Sequence, residues 1–363
     1  MGWSITIGRI AGTAIRLHFT FLLFLVWIGV ADYLASGPAA AIASVVFILL
    51  VFLCVTLHEF GHIAMGRRFG VQTPEVILSP IGGIANMERM PEEPSQELLV
   101  AIAGPLVNVA IALVLMLGFG IGIERLTTMD FESATLAERL LLVNVTLVLF
   151  NLVPAFPMDG GRVLRALLAM RMGAAPATAL AARIGQGFAF LFILLGLFYN
   201  PILMLVGIFI YFAAAAEEQT AAFKGFASGL RVADAMEPSP VTFNQGSPLS
   251  AAIDMLLKTP QRDFPVLDQS SRVIGLLDRE AMLTGLRDHG ADAAISKVMR
   301  ETEALRGDLS LTDAYAQMRG RNAKAAVVTD ARGSVTGVLT LENIGEMMMV
   351  ENAKPGWRFS RRG

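Results

Sequence analysis

The sequence predicts a polytopic α-helical membrane protein of about six transmembrane helices with a small re-entrant β-hairpin, followed by a cytoplasmic α/β module built as a tandem repeat. Three observations predict it. Charged residues make up only 17% of the 363 positions and hydrophobic ones 54%, with a mean hydropathy of +0.59, which is membrane-protein composition. Long charge-free stretches fill the chain up to about residue 225, and the composition after it is that of a soluble protein. Beyond that point side chains recur at a spacing of about 62 residues. The formal net charge of -2 leaves no basic field for nucleic acid. The single cysteine, Cys54, excludes an internal disulfide and a Cys-rich metal site, and its place on an apolar helix reads as packing. No cleavable signal peptide is expected, because the first 18 residues carry Arg9 and Arg16 and lack an apolar core followed by a cleavage site.

A spanning helix needs about 20 mostly apolar residues. Leu17 to about Leu34 is the first span and Ala39 to about Met65 the second. Leu98 to Ile123 is the third, and Leu140 to Met158 the fourth. Residues 184–216 are free of charge but broken by Asn200-Pro201, a turn signal. They read as a hairpin of two more spans, the first extending back towards Pro176. Arg67, Arg68 and Arg89, then Arg162, Arg165, Arg171 and Arg183, then Lys224 and Arg231 lie on one side; the alternate connections hold Arg125 and Arg139. That bias places both termini and the C-terminal module in the cytoplasm.

Between spans two and three, Val76-Ile77-Leu78 and Ile84-Ala85 flank a Pro/Gly turn containing Gly82 and Gly83. This reads as a small hairpin, at membrane depth tolerated only where protein or a cavity covers it, or as a surface loop. In the soluble part Leu249, Ala252, Asp268, Val273, Gly275 and Leu277 recur as Leu311, Ala314, Asp330, Val335, Gly337 and Leu339. Each copy predicts a helix, two short strands and a helix. The strands are Phe264–Leu267 with Val273–Leu277, and Ala325–Thr329 with Val335–Leu339. The expected division is 1–224 for the membrane part, 225–290 and 291–350 for the two copies, and 351–363 for a basic, disordered tail.

Function is concentrated in His58-Glu59-Phe60-Gly61-His62, near the end of span two. From Phe19 to Leu57 the only charged residue is Asp32. Ionisable groups at membrane depth are costly and mark function. On a helix, H-E-x-x-H puts both histidines on one face, able to share a zinc ion, with the Glu placed to deprotonate the water that the zinc activates. Catalytic zinc keeps three protein ligands. The candidate third ligand is Asp159, in Asn151-Leu-Val-Pro-Ala-Phe-Pro-Met-Asp-Gly-Gly-Arg162, where two prolines and a Gly pair break the helix. Two intramembrane amides, Asn108 and Asn151, need partners; either helix packing supplies them or they hydrogen-bond a substrate backbone.

These motifs, H-E-F-G-H, G-P-x-x-N at Gly104–Asn108 and N-x-x-P-x-x-P-x-D-G-G-R, come in this order on successive spans. Over roughly residues 1–220 they resemble the site-2 protease family of intramembrane zinc metalloproteases (peptidase M50). Met158 stands where the family usually has Leu. The resemblance implies one zinc on His58, His62 and Asp159, Glu59 as general base, and Asn108 and Asn151 engaging substrate or supporting the site. It also implies that the Gly82-Gly83 segment is a membrane re-entrant hairpin. Substrates would be membrane-anchored proteins, such as a tethered transcription factor or its inhibitor. The C-terminal pair resembles tandem CBS domains, which bind adenine nucleotides through a G-x-x-T-x-x-D signature. Copy two offers Gly337, Thr340 and Asn343; copy one has Asp278 and Ala281 and lacks both Thr and the acid. A regulatory nucleotide site and a structural, homodimerising role both stay open. An alternative from another class is a CBS-gated transporter or channel, whose His, Glu and Asp would form an ion path. Glu59 separates the two, since only a protease needs a carboxylate beside its metal.

Overall fold

The computed structural model describes residues 3–80, 82–87, 90–91, 93–128, 130, 133–354 and 357. Contacts divide the chain into two units, residues 1–221 and 222–363.

The first unit opens with β1 (Ser4–Ile10) and β2 (Thr13–His18), an antiparallel hairpin. Ala11 and Gly12 between them have φ of 47° and 85°, the left-handed pair whose twist suits a two-residue hairpin turn. α1 (Phe19–Ser36) follows, capped by the His18 ring, which accepts from the Thr20 N–H. α2 (Pro38–Arg68) has Pro at its first position, where the missing N–H has no partner to lose. β3 (Glu75–Ser79) lies parallel to β2 and turns back as β4 (Gly82–Asn86). The sheet order is β1-β2-β3-β4, so β4 is an edge. The expected hairpin is therefore present, but as half of a larger sheet. Its other half was readable in Thr13, Ile15 and Leu17 alternating with Ala14, Arg16 and His18, the period of a strand with one buried face. Ile15, Val76 and Leu78 form a buried cluster with Ile63 of α2, and this seats the sheet against the helix that bears H-E-F-G-H.

α3 (Pro94–Phe119), α4 (Ile123–Thr128), α5 (Leu136–Asn151), α6 (Asp159–Met172), α7 (Ala174–Tyr199) and α8 (Pro201–Ala227) complete the set. Among the described residues five helices, α1, α2, α3, α7 and α8, are long and apolar enough to cross a membrane. The expected fourth span differs. α5 stops at Asn151 rather than Met158, and its 16 residues reach about 24 Å against a hydrocarbon core of about 30 Å. Pro154 and Pro157 lack the N–H a helix needs and crowd the preceding turn, so the chain runs through turns before Asp159 starts α6. At the α7–α8 break, the Asn200 carboxamide oxygen accepts from the Ile202 N–H at 2.9 Å.

The second unit holds two α/β copies, each with one four-stranded sheet. α9 (Val232–Ala235), β5 (Glu237–Pro238), β6 (Phe243–Asn244), α10 (Leu249–Lys258), β7 (Asp263–Leu267), β8 (Val273–Asp278) and α11 (Arg279–His289) precede β9 (Arg300–Glu301). β10 (Leu305–Arg306), α12 (Leu311–Gly320), β11 (Ala325–Thr329), β12 (Val335–Thr340) and α13 (Leu341–Ala353) follow. The sheets are β6-β7-β8-β9 and β10-β11-β12-β5. Each has one parallel pair and two antiparallel ones. The copies thus exchange edges: β5 from the first copy closes the second sheet, and β9 from the second copy closes the first. Leu276, Ala325, Val327 and Val338 make a buried cluster between the sheets. α13 runs to Ala353, into the segment expected to be disordered; apart from Lys354 and Trp357, the rest of that tail lies outside the described residues.

Candidate metal centre

His58 and His62, one helical turn apart on α2, are each only 6% exposed. Their Nε2 atoms lie 3.1 Å apart. Asp159, the first residue of α6, brings Oδ2 to 3.2 Å from His58 Nε2 and 3.3 Å from His62 Nε2. Among the described residues these three form a group whose ligand atoms all lie within 4.8 Å of one another. Ligands held at about 2.0–2.1 Å by one tetrahedral zinc stand roughly 3.3 Å apart. The observed spacing fits that ion, and two imidazoles with one carboxylate are a catalytic donor set that leaves a fourth position open.

The rings are aimed by their other nitrogens. His62 Nδ1 meets the Val100 carbonyl at 2.7 Å, and His58 Nδ1 meets Asn108 Oδ1 at 2.5 Å. With an acceptor on each Nδ1–H, each Nε2 presents its lone pair to the cluster. Asn108, fully buried, in turn donates from Nδ2 to Asn144 Oδ1 at 2.8 Å. Of the two roles open to Asn108, helix packing and substrate contact, its bonds match the first and add a hold on the site.

Close approach explains two glycines in the motifs. A Cβ on Gly104 of α3 would sit 2.2 Å from His62 Nε2, and one on Gly160 would sit 2.3 Å from the Val153 carbonyl oxygen. The first leaves room for the ring; the second lets α6 start hard against the proline turn, which sets Asp159 facing the histidines.

Glu59 does not join the ligand group. It lies beside β4, where a Cβ on Gly83 would come 3.0 Å from Glu59 Cγ and 3.5 Å from Oε1. Its ionisable neighbours are His62, His58, Asp159 and Arg162. The carboxylate therefore neighbours both the histidine–aspartate cluster and β4, the edge strand among the described residues. Gly82 starts β4 with a φ of 138°. Asn151, the last residue of α5, is not part of the Asn108 chain of bonds. Asn144, seven residues earlier, takes that place. The rule that an intramembrane amide needs a partner applies to it equally, but it stands outside every motif.

In the second unit Thr340 caps α13: its hydroxyl accepts from the Asn343 N–H at 3.0 Å and bonds the Asn343 side chain. Asp278 caps α11 in the same way, accepting from the Ala281 N–H at 2.7 Å. Thr340 and Asn343 line a cleft of about 1130 Å³ with Arg231, Asp234 and Glu346. Burial, and then the Asp278 carboxylate opposite it, push the Asp263 carboxyl up to about 6.

The profile of peptidase family M50 matches residues 46–135 and 117–195, and that of the CBS domain matches residues 232–288. A zinc metalloprotease of Methanocaldococcus jannaschii is 37% identical over 274 residues, 75% of this chain and 78% of that protein. The Mycobacterium tuberculosis protein Rip3 is 27% identical across 96% of this chain and 93% of its own. Among solved structures, a site-2 protease from M. jannaschii matches at 38% identity, covering 60% of this chain and 95% of that one with a TM-score of 0.44.

Proposed function

The chain belongs to peptidase family M50, and from that premise we propose how its residues divide the work. It is an intramembrane zinc metalloprotease carrying a CBS module. The observation that supports the residue roles best is the convergence of His58, His62 and Asp159 at 3.1–3.3 Å beside a carboxylate outside the ligand group. Those three residues would hold one zinc. When bound, the zinc supplies Lewis acidity, polarising the scissile carbonyl and making water acidic near neutral pH. Glu59 takes the proton from the attacking water and returns it to the leaving amine.

The enzyme is a metalloendopeptidase whose substrate bond lies in or near the transmembrane segment of a membrane-anchored protein. A transmembrane helix hides its carbonyls in its own i to i−4 bonds, so the segment has to unwind first. The edge strand β4 is suited to hold the extended segment by strand addition, and Gly82 at its start faces open space while Gly83 packs against Glu59. Asn108 supports the site, and Asn151 at the end of α5 is placed for a substrate contact. A membrane-tethered transcription factor, or an inhibitor that tethers one, is the substrate class we favour.

The protein is a multi-pass membrane protein. Both termini and the CBS module face the cytoplasm in our reading, with α5 and the proline turn after it completing a crossing. The CBS pair regulates cleavage or joins two copies into a homodimer. Thr340 and Asn343 are the residues we assign to an adenine nucleotide in the cleft they line. The reading as a transporter or channel gains nothing from a carboxylate set beside, rather than on, the metal.

The deciding variant is Glu59→Gln, assayed with a co-expressed membrane-anchored substrate. Zinc content should stay at one per chain while cleavage falls by about 10²-fold or more, the scale of general-base catalysis. Undiminished cleavage with normal zinc content would overturn the role of Glu59.

A further inference from the structure

The two histidines are aimed by different kinds of acceptor. His62 Nδ1 faces the backbone carbonyl of Val100, which can only accept. His58 Nδ1 faces a side-chain amide, Asn108. An amide has a donor end and an acceptor end of nearly the same shape, and its direction is set by what surrounds it. If Asn108 turned end for end, its NH2 would face His58 Nδ1. That would favour the tautomer with the proton on Nε2, the atom the metal needs free.

Asn144 prevents the turn. It is fully buried on α5. Its Nδ2 donates to the Leu140 carbonyl at 2.8 Å and lies 3.4 Å from Cys54 Sγ. The Leu140 carbonyl can only accept, so the NH2 of Asn144 must point at it. Its Oδ1 then faces Asn108 and accepts from Nδ2 there. That fixes the direction of Asn108, which puts Oδ1 on His58. We propose that Asn144 is a positioning residue of the metal centre: through Asn108 it sets the tautomer and ring direction of His58. The relay runs from a main-chain carbonyl of α5 across α3 to α2, and it touches neither metal nor substrate.

The relay rests on the zinc reading of the site, and zinc affinity tests the two separately. Chelator competition is measured on the full-length protein in detergent. Wild type should bind zinc, and His58→Ala should lose it; failure of either sinks the metal reading and the relay with it. Asn144→Leu keeps the volume and suits an apolar helix but removes the relay. It should weaken zinc binding by about 10–100-fold, the usual cost of losing an outer partner of a ligand. Asn108→Asp supplies an acceptor whichever way it turns and has no need of Asn144. The pair Asn108→Asp with Asn144→Leu should therefore bind zinc within about threefold of Asn108→Asp alone. Zinc affinity of Asn144→Leu within about threefold of wild type, or no rescue in the pair, overturns the relay while leaving the zinc reading intact. Asn144→Ala serves as the second variant. Loss of fold in both would make Asn144 a packing residue and overturn the relay as well.

Discussion

The metal cluster of α2 and α6 and the cleft lined by Thr340 handle polar groups in opposite ways. In the cluster each group has a separate task. His58 and His62 direct Nε2 inward and spend Nδ1 on an acceptor, and Asn108 and Asn144 spend both ends of their amides. In the cleft one hydroxyl carries two assignments: Thr340 caps its own helix and is also the residue we propose for a nucleotide. The difference follows from the solvent. Within apolar helices every polar atom must find a protein partner, so a ligand atom left over is conspicuous. Near water a cap and a binding group can be the same atom, and stability and function are not separable by inspection.

The largest expected effect comes from the side where roles are separate. Asp159→Ala removes a ligand without touching a cap or a helix interior. It should weaken zinc binding by more than the ~100-fold that loss of an outer partner costs and abolish cleavage, with the metal-free protein unfolding at an unchanged temperature. A large drop in that temperature would mean that the cluster, too, mixes structure with function. On the other side, Thr340→Ala and Asp278→Ala should each cost about 1 kcal/mol, the value of an N-cap, read as a shift of the CBS-unit transition in calorimetry. Only Thr340→Ala should also lower the heat of AMP or ATP binding; an equal loss in Asp278→Ala would erase the distinction between the copies.

The smallest effect concerns pH. Asp263 has a carboxyl raised from its ordinary value to about 6, by burial first and by Asp278 second. A raised folded value means that the folded unit holds the proton more tightly. Its stabilising contribution is full below the unfolded value of about 4 and is lost as pH rises through about 6. Asp263→Asn should therefore stabilise the CBS unit above pH 7 and make little difference at pH 4. Solvent reaches this side chain, so about 1 kcal/mol is the scale, and a melt that moves equally at both pH values would contradict it.

Much of the site could be read from the sequence because its parts sit at spacings that a helix converts into geometry. His58 and His62 share a face by the four-residue step alone, and Asp159 stood out as an acid at the end of an apolar segment. Asn144 did not, since a lone amide has no spacing to betray it; its partner arrives from another helix. The N-terminal hairpin leaves only the short alternation of Thr13–His18 as its signal. Its two strands are short, and β2 owes its place to β3, some 60 residues further on. Hydropathy overstates the length of α5, because apolar residues continue past Asn151 while the prolines at 154 and 157 end the helix. Hydropathy sees the first fact and backbone sterics decide the second.

The edge exchange in the second unit also limits how such a chain could have arisen or be rebuilt. Because β5 closes the sheet of the later copy and β9 closes that of the earlier one, neither copy can be lifted out whole by a cut at the boundary between them. Each fragment would carry a three-stranded sheet, an exposed edge and an orphan strand. Recombination that exchanges such modules between membrane proteases therefore has to move the pair as one piece, and a protein engineer grafting a new domain after α8 has to replace both copies together.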